Sequence, residues 1–173
     1  MLVKTTPIHT IRHAVANDAE LVREISAAAY VPAYEAKFGW IPKPATEDYL
    51  SRIESGLVWI LETDRLGPCG VLVIELKPDA LMVYSVAVRP DAQGLGLAGT
   101  LLAKSDKIAL EKGYKCVRLY TNTQMIDNIR LYESRGFTKT RRRPHPSRKG
   151  LELQDMEKRL YPSRSRSATS FAK

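Results

Sequence analysis

A chain of 173 residues with 27 Lys+Arg against 19 Asp+Glu has the length of one domain and a formal net charge of +8. A chain this long buries about 70% of its unfolded surface in one core. No apolar run reaches the roughly 18 residues of a membrane span, and Met1-Leu2-Val3-Lys4-Thr5-Thr6-Pro7 lacks the apolar core of a signal peptide.

The charge is unevenly placed. Residues 1–138 hold 16 basic and 16 acidic side chains, whereas Lys139 to Lys173 holds 11 basic and 3 acidic. Residues 161–173, rich in Ser and Arg, read as a disordered tail. Nucleic-acid contact is one use for such a tail, but no aromatic residues alternate with its arginines to stack on bases. A plain solvated tail is the favoured expectation. Cys69 and Cys116 sit far apart in apolar, strand-like stretches and read as reduced core thiols of a cytoplasmic protein. His9, His13 and His145 have no ligand spacing, so no metal is expected.

In chain order, His9 to Val15 reads as a strand with Ile11, His13 and Val15 on one face. Asn17 or Asp18 then caps a helix whose Leu21, Val22, Ile25, Ala28 and Ala29 keep helical spacing. Pro32, Gly39, Pro42 and Pro44 mark a loop-rich region carrying Tyr30, Tyr34, Phe38 and Trp40. Thr46 starts a further helix through Ile53, stopped at Gly56. Apolar runs over 57–62, 69–76 and 80–88, separated by short turns, predict an antiparallel meander. A Gly-rich bend and a helix to Lys112-Gly113 follow, then a strand (115–121), a helix (124–135) and two strands (136–142 and 151–159). The sum is an α/β (α+β) fold: a mixed, largely antiparallel sheet of about seven strands with helices on both faces.

The bend is the most informative stretch. Val86-Ala87-Val88 runs into Gln93-Gly94-Leu95-Gly96-Leu97-Ala98-Gly99, which opens onto the helix. Unpaired N–H groups and the positive end of the helix dipole meet there, which suits a phosphate or diphosphate. No Lys-Ser or Lys-Thr follows the glycines, so a nucleotide P-loop is not written. The dinucleotide fingerprint, with its third glycine and an acidic residue about 20 positions on, does not fit cleanly either.

These residues resemble the GNAT superfamily of acyl-CoA N-acyltransferases. Its Gln/Arg-x-x-Gly-x-Gly/Ala hallmark is matched by Gln93, Gly96 and Ala98, and its Leu-Tyr-x-x-x-Gly-Phe mark by Leu131, Tyr132, Gly136 and Phe137. The likeness spans residues 10–160, which marks those residues as the acetyltransferase domain. It implies that acetyl-CoA, as co-substrate, rests its diphosphate on residues 93–99, with its pantetheine arm along Val86, Ala87 and Val88. A strand N–H would polarise the thioester carbonyl. Tyr132 takes the role of general acid. Asn128, one helical turn before Tyr132, can reach the arm, although many members carry an asparagine seven residues before the tyrosine, where Met125 stands.

The general base is left open between Glu75 and Glu35, with Ser85 and Tyr84 placed to hold a relaying water. The acceptor side falls to Tyr30 through Asp48, where Tyr34 and the other aromatics either line a pocket or close the core. Glu35, Glu47 or Asp48 would attract a cationic substrate. The expected activity is acetyl transfer to a primary amine of a small molecule by direct attack in a ternary complex, without a metal or a membrane. A protein N-terminus or lysine as acceptor, and a non-catalytic acyl-CoA-binding module, are the alternatives. Oligomeric state is left open, a homodimer included.

Overall fold

A computed structural model describes residues 7–161, so all of the predicted tail except Tyr161 lies outside the described residues. The elements are β1 (His9–His13), α1 (Ala19–Phe38), α2 (Leu50–Glu54), β2 (Val58–Thr63), β3 (Gly67–Leu76) and β4 (Leu81–Val88), followed by α3 (Leu97–Glu111), β5 (Cys116–Asn122), α4 (Ile126–Ser134), β6 (Thr138–Pro144) and β7 (Glu152–Arg159). The seven strands form one sheet in the order β1-β2-β3-β4-β5-β7-β6. Only β4 and β5 pair in parallel. This is the mixed, mostly antiparallel architecture that the strand and helix patterns predict. No helix among the described residues is long and apolar enough to cross a membrane.

Strand alternation divides the apolar residues between two cores. Trp59, Leu61, Leu72 and Ile74 face α3, where Leu97, Leu101, Leu102 and Ile108 complete one cluster. Val58, Ile60, Val71 and Val73 face the opposite side and pack on Val22 and Ile25 of α1 and Ile53 of α2. Both faces of β2 and β3 are therefore covered, which is why their sequences read as nearly continuous apolar runs.

β4 contains an irregularity that positions the site. Val73 pairs with Ser85 but Ile74 pairs with Val83, so Tyr84 is an extra residue with no partner on β3. The bulge reverses the alternation. Before it, Leu81 and Val83 join the α3-side core; after it, Val86 and Val88 take that side and Ala87 turns to the α1-side core. Pairing with β5 extends only over Leu81–Val117 and Met82–Arg118, so the rest of β4 parts from β5.

Two predicted boundaries move. β1 ends at His13 because the Asp18 carboxylate accepts from the Val15 N–H at 2.8 Å and from Arg12 at 2.7 and 3.2 Å, folding the chain into a turn. Val15, expected on the buried face, is 58% exposed. The helix expected from Thr46 begins at Leu50, whose N–H donates to the Asp48 carboxylate at 3.0 Å.

The largest correction concerns the aromatic region. It is not a loop: α1 runs through Pro32 to Phe38 and stops at Gly39, whose φ of 69° is the left-handed C-cap geometry. Proline removes one N–H donor from the helix, but Tyr30, Tyr34 and Phe38 recur every four residues and stack along one face. Their ring centroids are 6.2 and 5.4 Å apart, and Trp40 packs edge-on against Tyr34 at 5.2 Å. At its end, Lys37 donates to the carbonyl of Gln124 at 2.8 Å and ties α1 to the segment before α4.

Candidate active site

The bend after β4 is built to leave donors free. Pro90–Ala92 makes a tight turn, and the Gln93 side chain donates back to the Val88 carbonyl at 3.0 Å. Gly94 and Gly96 hold φ of 77° and 79°, a region that costs other L-residues about 1–2 kcal/mol. The backbone N–H groups of residues 94–99 find no acceptor among the described residues. They gather at the N-terminus of α3, a ready receptor for an anion. The half-buried Leu95 side chain packs against the core.

Arg135, missed in the sequence although it lies inside the second motif, belongs to the same place. Its guanidinium lies where a Cβ on Gly99 would stand, 2.1 Å from that position. The absent side chain at residue 99 is what lets a cation reach the first turn of α3.

The edge of β4 offers a second set of donors. Arg89 donates its N–H to Cys69 of β3, so Val86 and Val88, of opposite parity, direct their backbone groups to the open side. Their carbonyls are taken: Tyr30 donates its hydroxyl to the Val86 oxygen at 3.0 Å, and Gln93 holds that of Val88. Tyr30 has one proton, so it accepts from the Ser85 hydroxyl at 2.9 Å. Ser85 is thereby part of the wall, bonded to α1. The N–H groups of Val86 and Val88 are left for a ligand.

Two cavities meet at this edge. One, of about 550 Å³, is lined by Val88, Gln93, Gly94, Gly96, Ala98 and Arg135. The other, of about 500 Å³, lies toward Trp40, Tyr84, Asn122 and the β6–β7 hairpin. Tyr30, Tyr34, Val86, Asn128 and Tyr132 line both. Tyr132 thus stands at the junction, edge-on to Phe137 with centroids 6.1 Å apart. Burial, aided by the Tyr30 and Tyr34 phenols, raises the Tyr132 pKa well above that of a free phenol. Burial likewise pushes Tyr34 up to about 12.

The carboxylates expected to serve as base lie elsewhere. Glu35 is exposed on α1, and neither it nor Glu75 lines either of these two cavities. Glu75 is held by Arg52 at 3.0 Å and Lys77 at 2.7 Å; burial raises its pKa, but these cations outweigh that and lower it. Asp48 spends an oxygen on the start of α2. Glu47 sits one bond behind the wall, accepting from Arg52 at 3.0 Å and from the Tyr84 hydroxyl. Burial, then Glu47, raises the Tyr84 pKa. Among the described residues, no group of three or more His, Cys, Asp or Glu could hold a metal.

A seven-stranded sheet whose parallel pair parts beside an anion-receiving bend defines the class of this protein. Residues 19–137 match the Acetyltransferase (GNAT) family, and the chain belongs to it. N-acetyltransferase 8B of Rattus norvegicus is 33% identical over 100 residues, covering 55% of this chain and 45% of that protein. The match therefore spans less than half the length of that relative. Among solved structures, PaiA N-acetyltransferase from Thermoplasma acidophilum, in complex with coenzyme A, superposes with a TM-score of 0.73 at 21% identity, covering 88% of this chain and 99% of that one. The ribosomal-protein-S18-alanine N-acetyltransferase from Escherichia coli gives 0.70 at 19%, covering 91% and 99%. At these identities the structures establish the fold.

Proposed function

We propose that this chain transfers the acetyl group of acetyl-CoA to a primary amine of a small molecule, by direct attack within a ternary complex. The observation that carries this reading is the meeting of the two cavities at Tyr132 and the Val86 edge. Unpaired amides at 94–99, Arg135 and an adjoining cavity fit an anionic, elongated co-substrate. When bound, acetyl-CoA supplies a thioester, an acyl group already activated toward amines. The bend amides and Arg135 would hold its diphosphate, and the β4 edge and Asn128 its arm.

The residues of the chain then divide the work. The Val86 N–H, free on the open edge, donates to the carbonyl oxygen as negative charge grows there; losing one such donor typically costs about 2.7–4 kcal/mol. Tyr132, a phenol protonated at neutral pH and held so more firmly by burial, gives its proton to the departing sulfur. A thiolate expelled into the same dry junction is made more basic by desolvation, which favours that transfer. The amine proton leaves toward solvent through the acceptor cavity, where Tyr84 is hydrogen-bonded to Glu47. A concave cavity walled by Trp40 and His145 favours a small acceptor over an extended polypeptide. The unpaired, buried Cys69 and Cys116 fit a reducing, cytoplasmic setting.

The test is Tyr132→Phe. It should lower kcat by about a hundredfold or more while coenzyme A binding, followed by titration calorimetry, stays within about twofold, because the ring is kept and the diphosphate site is untouched. Turnover unchanged in that variant would remove the phenol from the mechanism.

A further inference from the structure

The acceptor cavity has the wrong charge for a plain cationic amine. Lys43, Arg143 and Arg148 line it beside a neutral His145, and no Asp or Glu among the described residues does. The carboxylates just behind the wall are already matched: Glu47 with Arg52, and Asp155 with Arg143. Arg143 spends only its Nε on Asp155, at 2.9 and 3.0 Å, and its guanidinium lies 4.9 Å from the Tyr120 ring centroid. Its two terminal nitrogens have no acceptor among the described residues. Arg148 lies over Trp40 at 4.7 Å.

Two buried donors in the same wall are also unsatisfied. Asn122 is 2% exposed and accepts the Gln124 N–H on Oδ1 at 2.9 Å, which fixes its amide orientation. Its Nδ2 has no partner, and neither does Nε1 of Trp40. Buried N–H groups are nearly always paired in native proteins. Two orphans on one cavity wall, beside guanidinium groups with open forks, call for ligand oxygens carrying negative charge.

We propose that the acceptor is a primary amine that also bears an oxyanion, a carboxylate or a phosphate monoester, received by Arg143, Arg148, Asn122 Nδ2 and Trp40 Nε1. The proposal rests on the acetyl-transfer reading above and narrows its substrate class. The oxyanion end anchors the molecule against the β6–β7 hairpin and leaves the amine free to reach the junction at Tyr132.

Thiol release from acetyl-CoA should be measured for matched amines: phenylalanine against phenethylamine, 4-aminobutyrate against butylamine, and phosphoethanolamine against ethanolamine. The first two pairs report a carboxylate and the third a phosphate. The expected result is a kcat/KM about tenfold or more higher for the anionic member of at least one pair. Arg143→Gln and the exposed Arg148→Gln should each shrink that preference several-fold with coenzyme A affinity unchanged. Equal or better turnover of the member without the oxyanion in every pair, by a protein that binds coenzyme A, overturns the oxyanion proposal alone. Failure of the wild-type chain to bind coenzyme A would instead sink the acetyl-transfer reading.

Discussion

His145 shows how a single side chain records the field of its surroundings. Burial lowers its pKa below the ordinary histidine value of 6.5, and the nearby Arg148 and Arg143 lower it further. The Ser147 N–H donates to Nδ1 at 3.2 Å, so the neutral ring carries its proton on Nε2 and offers a donor to the cavity. A folded-state pKa below the unfolded one means that the unfolded chain binds the proton more readily. Stability from this group is therefore present above about pH 6.5 and lost as pH falls from there through the folded value. A proton NMR titration should give His145 a midpoint below 6.5, moved upward in Arg148→Gln because one repelling charge is gone. A midpoint at or above 6.5 in the wild-type chain would contradict the placement of these cations.

At the scale of elements, the first turn of α3 and the end of α4 are joined through the missing side chain of Gly99. Alanine is the better helix former by about 1 kcal/mol, yet its Cβ would fall 2.1 Å from the Arg135 guanidinium. That group is the mobile end of a long side chain and can swing away. Gly99→Ala should therefore leave the melting temperature unchanged or slightly raised, while calorimetry shows coenzyme A binding weakened about threefold to tenfold. Unchanged affinity would take Arg135 out of the diphosphate site.

The bend and the α4 motif were legible in the sequence because each depends on residues adjacent in the chain: Gly94 and Gly96 for left-handed backbone, and Tyr132 and Phe137 on a helix and the strand after it. The aromatic wall was not legible. Pro32, Gly39 and Pro42 signal a loop, while the spacing of Tyr30, Tyr34 and Phe38, which prevails in the fold, was outvoted by that punctuation. The bulge at Tyr84 leaves no mark in an apolar strand, so the reversal that sends Val86 and Val88 to the α3-side core and Ala87 to the α1-side core could not be read. Arg143 and Asn122 line one cavity because β7 inserts between β5 and β6, setting both beside Leu153 through pairings among distant residues. Their gathering is a property of topology, not of any local pattern.

For the whole molecule, sheet and charge point the same way. β4 and β5 hold together at one end and part at the other, with helices packed on each face of the sheet. The surplus positive charge carried by residues 139–173 begins on β6 and β7, which form one wall of the acceptor cavity. Such a field draws negatively charged groups toward the cleft, and both molecules proposed to enter it carry an oxyanion. Acetyl transfer at this site depends on the bend amides receiving a diphosphate. The direct measurement is a backbone amide spectrum of the labelled protein with and without coenzyme A. The N–H signals of Gly94, Leu95, Gly96, Leu97, Ala98 and Gly99 should shift most, together with those of Val86 and Val88. Large shifts confined to other parts of the chain, with these amides unmoved, would contradict the assignment.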